Sequence, residues 1–234
     1  MTDLTAETVV DTELPEATRR LVRTVDALPD PAYAEPSGLP GWTRAHVVAH
    51  LALNAEGLAG ALTGVVEGRR VSMYRSQEDR DGDIESLATA APAVLRSRLL
   101  GACTDLADAI DAVPDDEGET VVERVPGGRT FRVGDVPWMR LGEVEIHHAD
   151  LDAGYTHPQW PDAFVLHVLD SKHLRDPAAG AFSLQPTDLD RAWSAGTGGP
   201  TVTGTASELA WWLTGRPAPG LTCEGGALPR IGGM

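Results

Sequence analysis

The sequence predicts an α+β protein in which a helical bundle, residues 1–155, precedes a small α+β domain, residues 156–234. In the first part, apolar residues recur at three- and four-residue steps through four long segments, which is the pattern of amphipathic helices. In the second part, most of the segments are short and bounded by turn residues. A hydrophobic fraction of 42% supports a buried core and argues against disorder.

Charge and hydropathy limit the classes of partner. The net charge of −16 would repel nucleic acid and anionic membranes. No apolar run approaches the ~20 residues of a membrane span, and the acidic N-terminus lacks a signal-peptide pattern. We therefore expect a cytoplasmic protein, a monomer, with no nucleic-acid or membrane partner.

Two helices are predicted before residue 70. Apolar residues at helical spacing predict the first over residues 5–28, and Pro29 ends it. The second follows Thr43, a favourable N-cap residue, and Gly68 closes it.

His46 and His50 lie one turn apart near the start of the second helix. His50 is flanked by Val47 and Leu51 and so belongs closer to a core face. A histidine in that setting is more often a hydrogen-bonded core residue than a metal ligand.

Residues 69–83 form a polar segment that we predict to be a loop. Long loops in compact domains are usually functional, although a solvated connector would have the same composition. The segment surrounds Met73 and Tyr74 with the arginines Arg69, Arg70, Arg75 and Arg80.

The rest of the bundle is predicted to hold a helical region, a hairpin and a last helix. The helical region covers residues 83–113, and Pro92 kinks or divides it. Two β-rich runs around Pro126-Gly127-Gly128 predict a hairpin over residues 120–133. The last helix begins with Asp135 as its N-cap and runs to about Ala153.

The last helix carries residues with metal-binding chemistry. At about 100° per residue, Glu143 and His147 lie about 40° apart, and Asp150 returns to within about 20° of Glu143. Glu145 and His148 point elsewhere. A carboxylate and an imidazole one turn apart on an inward face can reach one metal ion, but the same pair is also common on solvated helix surfaces. A third ligand must decide between these alternatives.

The second domain is predicted to contain a helix over residues 162–175, short segments and a second helix over residues 206–213. The short segments cover residues 181–184, 191–194, 201–203 and 221–223. The two cysteines, Cys103 and Cys223, fit no CxxC or disulfide pattern. Cys103 falls on an apolar stripe, which favours a packing role over a nucleophilic one.

The motifs of the bundle resemble those of a known family. Gly41-Trp42-Thr43, followed by Val47 and His50, resembles the second-helix motif of DinB-like metal-binding bundles. More narrowly, the chain resembles the mycothiol-dependent maleylpyruvate isomerases over nearly its whole length, which implies that the second domain is a small sterol-carrier-like unit. The further matching features are Met73-Tyr74 with Ser76, Glu78 and Arg80, then Trp138-Met139-Arg140 with Glu143, His147 and Asp150-Leu151, and finally Gly215-Arg216.

The resemblance also implies a set of metal ligands with open coordination positions, the pattern of a catalytic zinc site. The same donor types suit iron or nickel. Asp150 would orient a ligand imidazole, unless it forms a core salt bridge with Arg140. His46 is the rival ligand, although we prefer it as a partner at the helix start. The implied ligands are His50, Glu143 and His147.

The activity implied by the resemblance is the conversion of maleylpyruvate to fumarylpyruvate, a step of the gentisate route of aromatic degradation. Addition of a thiolate turns the cis double bond into a single bond that can rotate, and elimination then leaves the trans product. Zinc would deprotonate the thiol of mycothiol, which fits the lack of a convincing cysteine nucleophile. Arg80 and Arg216 are the candidates for binding the dicarboxylate, although one could be a loop surface charge and the other a helix-end charge.

Two alternatives stay open at this point. A mycothiol S-transferase that conjugates electrophiles would keep the metal ligands without needing a dicarboxylate clamp. The second alternative is a non-catalytic module that binds a metal and a lipid or partner. A structural zinc normally has four protein ligands, and the sequence offers three.

Overall fold

The computed structural model describes residues 8–69, 71–170 and 180–231. It confirms the α+β class. The chain divides into two compact units, one ending at Tyr155 and the other beginning at Thr156. We call them the bundle unit and the C-terminal unit. Within the described ranges, no helix has both the length and the apolar character needed to cross a membrane.

In the described part of the bundle unit there are four long helices and one shorter helix. The second helix packs along the third and fourth, and the first packs against the fifth. The second helix is buried on most sides, as expected for a core helix. The helices are α1 (Leu14–Ala27), α2 (Arg44–Val66), α3 (Gln77–Ala88), α4 (Pro92–Asp111) and α5 (Val136–Asp150).

Arg44 ties the start of α2 to the end of α5. Its Nε donates to the carbonyl of Leu151 at 2.9 Å, and its Nη2 donates to the carbonyl of Asp152 at 2.7 Å. The backbone N–H of Gly38 donates to the carbonyl of Asp150 at 2.7 Å. The last carbonyls of a helix have no partner within the helix, so these bonds satisfy them and fix α5 against α2.

The predicted loop over residues 69–83 was wrong in its second half, because α3 already begins at residue 77. Ser76 is the N-cap, and its hydroxyl accepts a bond from the N–H of Asp79 at 2.9 Å. Only Ile84 and Leu87 of α3 are buried. A mostly polar helix gives little hydrophobic periodicity, so its cap is the stronger signal.

Other helix boundaries were predicted more closely. Pro92 is the first residue of α4 and divides the helical region from α3. A π-helical turn, Val9–Glu13, leads into α1, and residues 5–7 of the predicted first helix lie outside the described residues. Helix α5 ends at Asp150, earlier than the predicted residue 153. Asp135 occupies its N-cap position, but its carboxylate bonds to Arg132 instead of a helix N–H.

The predicted hairpin is confirmed as strands β1 (Val121–Glu123) and β2 (Thr130–Arg132), which pair antiparallel. The loop before α3 continues this small sheet. The N–H of Met73 donates to the carbonyl of Glu123 at 3.0 Å, and that of Tyr74 to the carbonyl of Arg124 at 2.9 Å. Gly57 of α2 lets this loop approach closely, because a Cβ there would meet Met73 at 3.0 Å.

Among its described residues, the C-terminal unit holds two helices, α6 (Asp162–Leu169) and α7 (Ala206–Leu213), and a four-stranded sheet. The strands lie in the order β4-β3-β5-β6; β3 is parallel to β5, and the other pairs are antiparallel. Helix α7 has the predicted bounds, whereas α6 ends before the predicted residue 175, and residues 171–175 lie outside the described residues. The strands are β3 (Phe182–Pro186), β4 (Trp193–Ala195), β5 (Thr201–Gly204) and β6 (Thr222–Cys223).

Candidate metal centre

Three predicted ligands meet between α2 and α5. One carboxylate oxygen of Glu143 lies 2.9 Å from Nε2 of His50 and 3.4 Å from Nε2 of His147. The two imidazole rings are nearly perpendicular, with centroids 4.6 Å apart. In the part of the chain that the structure describes, this is the one group of three His, Cys, Asp or Glu residues whose ligand atoms all lie within 4.8 Å of one another.

The spacing of these atoms fits a divalent metal ion. Ligand atoms about 2.1 Å from one tetrahedral ion lie about 3.4 Å from each other. Around the Glu143 oxygen, the separation of 3.4 Å from His147 matches that value, and the separation of 2.9 Å from His50 is a hydrogen-bond distance that a bound ion would lengthen. Two imidazole nitrogens and one carboxylate are donors that zinc accepts, and that iron and nickel also accept.

Asp150 holds the imidazole of His147. Its carboxylate oxygen lies 2.8 Å from Nδ1 of His147, and the residue is 1% exposed. A proton on Nδ1 would leave the lone pair of Nε2 facing Glu143, as a metal ligand requires. The alternative partner for Asp150 was Arg140. The guanidinium of Arg140 instead donates to the carbonyl of Leu51 and to Oδ1 of Asn54.

The surroundings shift the pKa values of the three groups in different directions. Burial lowers the pKa of His50 to about 4, against the opposing effect of Glu143. Burial also acts to lower the pKa of His147, but hydrogen bonds with Asp150 and Glu143 raise it above its ordinary value. Burial acts to raise the pKa of Glu143, yet its bonds with both imidazoles hold it well below the usual range. In the metal-free site Glu143 is therefore ionised and His50 is neutral, while His147 keeps its proton to a higher pH than usual.

His46, the rival ligand, lies outside the group of three. Its Nδ1 is 2.7 Å from the hydroxyl of Thr43 and accepts the N–H of that residue at 3.2 Å. Its ring stacks on Trp42. The preferred role of His46, as a partner at the helix start, is thus confirmed by these contacts.

Glu145 and His148 point away from the group of three, as predicted. Glu145 is fully buried and accepts bonds from Arg20 at 2.6 Å and from the Tyr155 hydroxyl at 2.5 Å. His148 stacks on Tyr155, and its Nε2 lies 2.7 Å from the hydroxyl of Thr24. This second polar cluster joins α5 to α1.

Arg80 lies beside the candidate centre. Its Nη2 is 3.2 Å from Nδ1 of His50, and its guanidinium lies 5.8 Å from the centre of the Tyr74 ring. Nη1 of Arg80 also donates to Asp81 at 2.7 Å. A cavity of about 220 Å³ borders Met73, Tyr74 and Arg80; its lining also includes Glu56, Asp79 and Asp83 but none of the three candidate ligands.

Sequence reasoning missed Arg124, which follows β1 in the hairpin. Its guanidinium lies 5.3 Å from the centre of the same Tyr74 ring. A single arginine in a hairpin has no spacing pattern that predicts a site. The pairing of the Tyr74 loop with the hairpin, which brings the two residues together, follows from backbone hydrogen bonds and not from sequence spacing.

Arg216 belongs to the C-terminal unit and follows α7. Its Nη1 donates to the carbonyl of Thr214 at 2.7 Å, and its guanidinium lies 5.7 Å from the centre of the Trp211 ring. Gly215 precedes it with a φ of +83°, a conformation that favours glycine at the end of a helix.

The cysteines lie outside the group of three ligands. Cys103 is on α4, partly exposed, and its sulfur accepts a bond from Nη2 of Arg140 at 3.4 Å. Cys223 is on β6, where its Sγ donates to the carbonyl of Glu224. Neither described thiol is therefore positioned as a nucleophile at this centre.

Comparison with known proteins gives two consistent results. The model of the mycothiol maleylpyruvate isomerase N-terminal domain matches residues 14–152. The crystal structures of the mycothiol-dependent maleylpyruvate isomerase and of a histidine-to-alanine mutant of it are similar with a TM-score of 0.89, covering 100% of both chains at 26% and 25% identity. No curated protein sequence matches significantly. The chain therefore belongs to the family defined by the mycothiol maleylpyruvate isomerase N-terminal domain.

Proposed function

We propose that this protein is a zinc- and mycothiol-dependent isomerase that converts maleylpyruvate to fumarylpyruvate by thiolate addition, bond rotation and elimination. The membership of the family and the full-length similarity to a mycothiol-dependent maleylpyruvate isomerase support the reaction. The group of His50, Glu143 and His147 supports the requirement for a metal.

One observation carries the proposal. The bundle brings His50, Glu143 and His147 together around one point, a group that could hold a metal ion, and no described cysteine belongs to that group. A structural zinc site normally has four protein ligands, whereas a catalytic site keeps one position for a water or a substrate. A three-ligand site without a protein thiol suits a reaction whose nucleophile is a thiol supplied from outside.

His50, Glu143 and His147 would hold the metal. A bound zinc ion would lower the pKa of a coordinating thiol, whose ordinary value is about 8.5, so that the thiolate forms at neutral pH. Asp150 keeps the imidazole of His147 in the orientation that a ligand needs. Burial keeps the imidazole of His50 neutral, which leaves a lone pair for a ligand bond.

Arginines would bind the dianionic substrate on this strongly acidic chain. Arg80, next to His50, would bind a carboxylate and stabilise the enolate that thiolate addition creates. Arg216, in the C-terminal unit, is proposed as a second carboxylate-binding residue. Both guanidinium groups can form two parallel hydrogen bonds with a carboxylate, which an ammonium group cannot.

The test is incubation of the zinc-loaded protein with mycothiol and maleylpyruvate, while product and free thiol are followed together. We expect fumarylpyruvate to form while the thiol is recovered unchanged. A stable thioether adduct would contradict the isomerase and indicate an S-transferase. Consumption of neither reactant would contradict both activities and leave a binding module.

A further inference from the structure

Arg80 and Arg124 share one aromatic ring near the metal centre. Their guanidinium groups lie 5.8 and 5.3 Å from the centre of the Tyr74 ring. Arg80 comes from α3, and Arg124 comes from the hairpin between α4 and α5. Two separate elements thus bring two positive charges to the same tyrosine. Two guanidinium cations this close repel each other, and a nearby negative charge would offset that repulsion.

The charge of Arg124 has little compensation from the protein. Its Nη1 donates to Oε1 of Gln77, a neutral group, at 2.7 Å. Across the described ranges, no carboxylate lies within ion-pair distance of Arg124. Burial lowers the pKa of this guanidinium, and the positive charge of Arg80 lowers it further. On a chain with 35 acidic residues, a half-buried arginine without a carboxylate partner is notable.

The backbone fixes Arg124 in this position. Its N–H donates to the carbonyl of Arg129 across the hairpin at 2.8 Å, and its carbonyl accepts the N–H of Tyr74 at 2.9 Å. Arg80, which lies near the same ring, has its Nη2 3.2 Å from Nδ1 of His50. An unbroken series of contacts therefore connects the hairpin with the candidate metal centre.

We infer that Arg124, together with Arg80, forms a subsite that binds one carboxylate of the dicarboxylate substrate. The inference rests on the proposed function for the identity of that ligand. The two arginines and Tyr74 are its components. The subsite lies wholly within the bundle unit. It gives the inserted hairpin a role, which is to carry a specificity-determining arginine to the centre.

The physical basis is the geometry and charge of the guanidinium group. Its planar fork pairs with a carboxylate through two parallel hydrogen bonds, and such charge-assisted bonds are stronger than neutral ones. A carboxylate between two arginines would also remove their mutual repulsion.

The experiment titrates the zinc-loaded full chain with maleate, a small cis-dicarboxylate, by isothermal calorimetry, so no turnover is required. A hydrogen bond to a charged group contributes about 1.5–3 kcal/mol, so Arg124→Gln should weaken maleate binding about 10- to 100-fold. Arg124→Lys should recover part of the affinity. The matched control is Arg132→Gln on the same hairpin, because Arg132 already pairs with Glu119 and Asp135 and should leave binding unchanged.

Thermal unfolding and zinc content are measured for each variant. Unchanged maleate affinity in a folded, zinc-loaded Arg124→Gln protein would overturn the inference, as would an equal loss in Arg132→Gln. Maleate binding that depends on Arg124 in a protein without isomerase activity would uphold the subsite and reject the proposed function. Isomerase activity with an unchanged KM in Arg124→Gln would uphold the function and reject the subsite.

Discussion

Nδ1 of His147 lies 2.8 Å from the carboxylate of Asp150, while Nε2 of the same ring faces Glu143 at 3.4 Å. The two nitrogens of one imidazole thus serve different partners. Asp150 is almost fully buried and sits in the last turn of α5, so its position is set by the fold. The orientation of a metal-binding histidine is commonly set by such an acceptor.

The first prediction concerns this acceptor. Asp150→Asn should weaken zinc binding about 10- to 100-fold, because the amide is a poorer acceptor for Nδ1–H and leaves the ring less well oriented. Competition with a chromophoric chelator measures the affinity, and nitrogen NMR of the imidazole reports its tautomer. An unchanged affinity together with an unchanged tautomer would show that Asp150 has only a packing role.

The second prediction concerns the ligand set itself. Glu143→Ala and His147→Ala should each abolish tight zinc binding, because each removes one of the three donors. His46→Ala is the matched control, since His46 is a nearby histidine that contacts Thr43 instead of the centre. Stoichiometric zinc after dialysis in either ligand variant, measured by atomic emission, would contradict the assignment.

The third prediction concerns pH. In the metal-free protein the raised pKa of His147 keeps its proton bound at higher pH than usual, and this proton must leave before a metal binds. Zinc affinity should therefore rise as pH increases through that raised pKa and level off above it. Below it, affinity should fall about tenfold per pH unit for one displaced proton.

His50 should contribute to this pH dependence only in acid, because burial lowers its pKa to about 4. Calorimetry in buffers of different ionisation enthalpy, between about pH 5 and about pH 8, counts the protons released. Constant affinity across that interval, with no proton release, would argue against His147 as a ligand.

The fourth prediction separates stability from metal binding. Glu145→Gln should lower the free energy of unfolding by about 1–3 kcal/mol, because a buried partner of Arg20 and Tyr155 loses its charge. Zinc stoichiometry of the folded variant should stay unchanged, since Glu145 lies outside the ligand group. Urea unfolding gives the first quantity and metal analysis the second. Loss of zinc from the folded variant would link this cluster to the centre.

The fifth prediction concerns Arg216. Arg216→Ala should keep its zinc and its fold but lose most isomerase activity, and Arg216→Lys should restore little, because an ammonium group cannot replace a bidentate fork. Steady-state kinetics with zinc analysis measure both effects. Normal turnover in Arg216→Ala would show that Arg216 serves only as a helix-end charge, in contact with Trp211 and Thr214.

Sequence reasoning was most successful where periodicity and capping act together. The start of α2 after Thr43 and the bounds of α7 follow directly from these signals. Helix α3 was placed too late, because most of its residues are polar and its hydrophobic period is weak. The end of α5 was placed too far along the chain, because the bonds from Arg44 that satisfy its last carbonyls come from a residue more than 100 positions away.

At the candidate metal centre too, relationships within one helix could be predicted from the sequence, whereas contacts between distant segments could not. Glu143, His147 and Asp150 share one face of a helix, so their relationship is local and can be read from spacing. The choice of His50 over His46 came from the family resemblance, and the contacts of His46 with Thr43 give it a physical reason. Arg124 depends on pairing between the hairpin and a distant loop, and tertiary contacts of that kind leave no periodic trace in a sequence.

X-ray absorption at the zinc edge, recorded before and after addition of mycothiol, shows whether the metal centre binds the thiol. We expect a first coordination sphere of nitrogen and oxygen, to which mycothiol adds one sulfur at about 2.3 Å. Glu143→Ala, which removes a proposed ligand, should fail to give that spectrum. A sphere that contains no sulfur at saturating mycothiol would contradict the proposal that the three-ligand centre holds the thiol for catalysis.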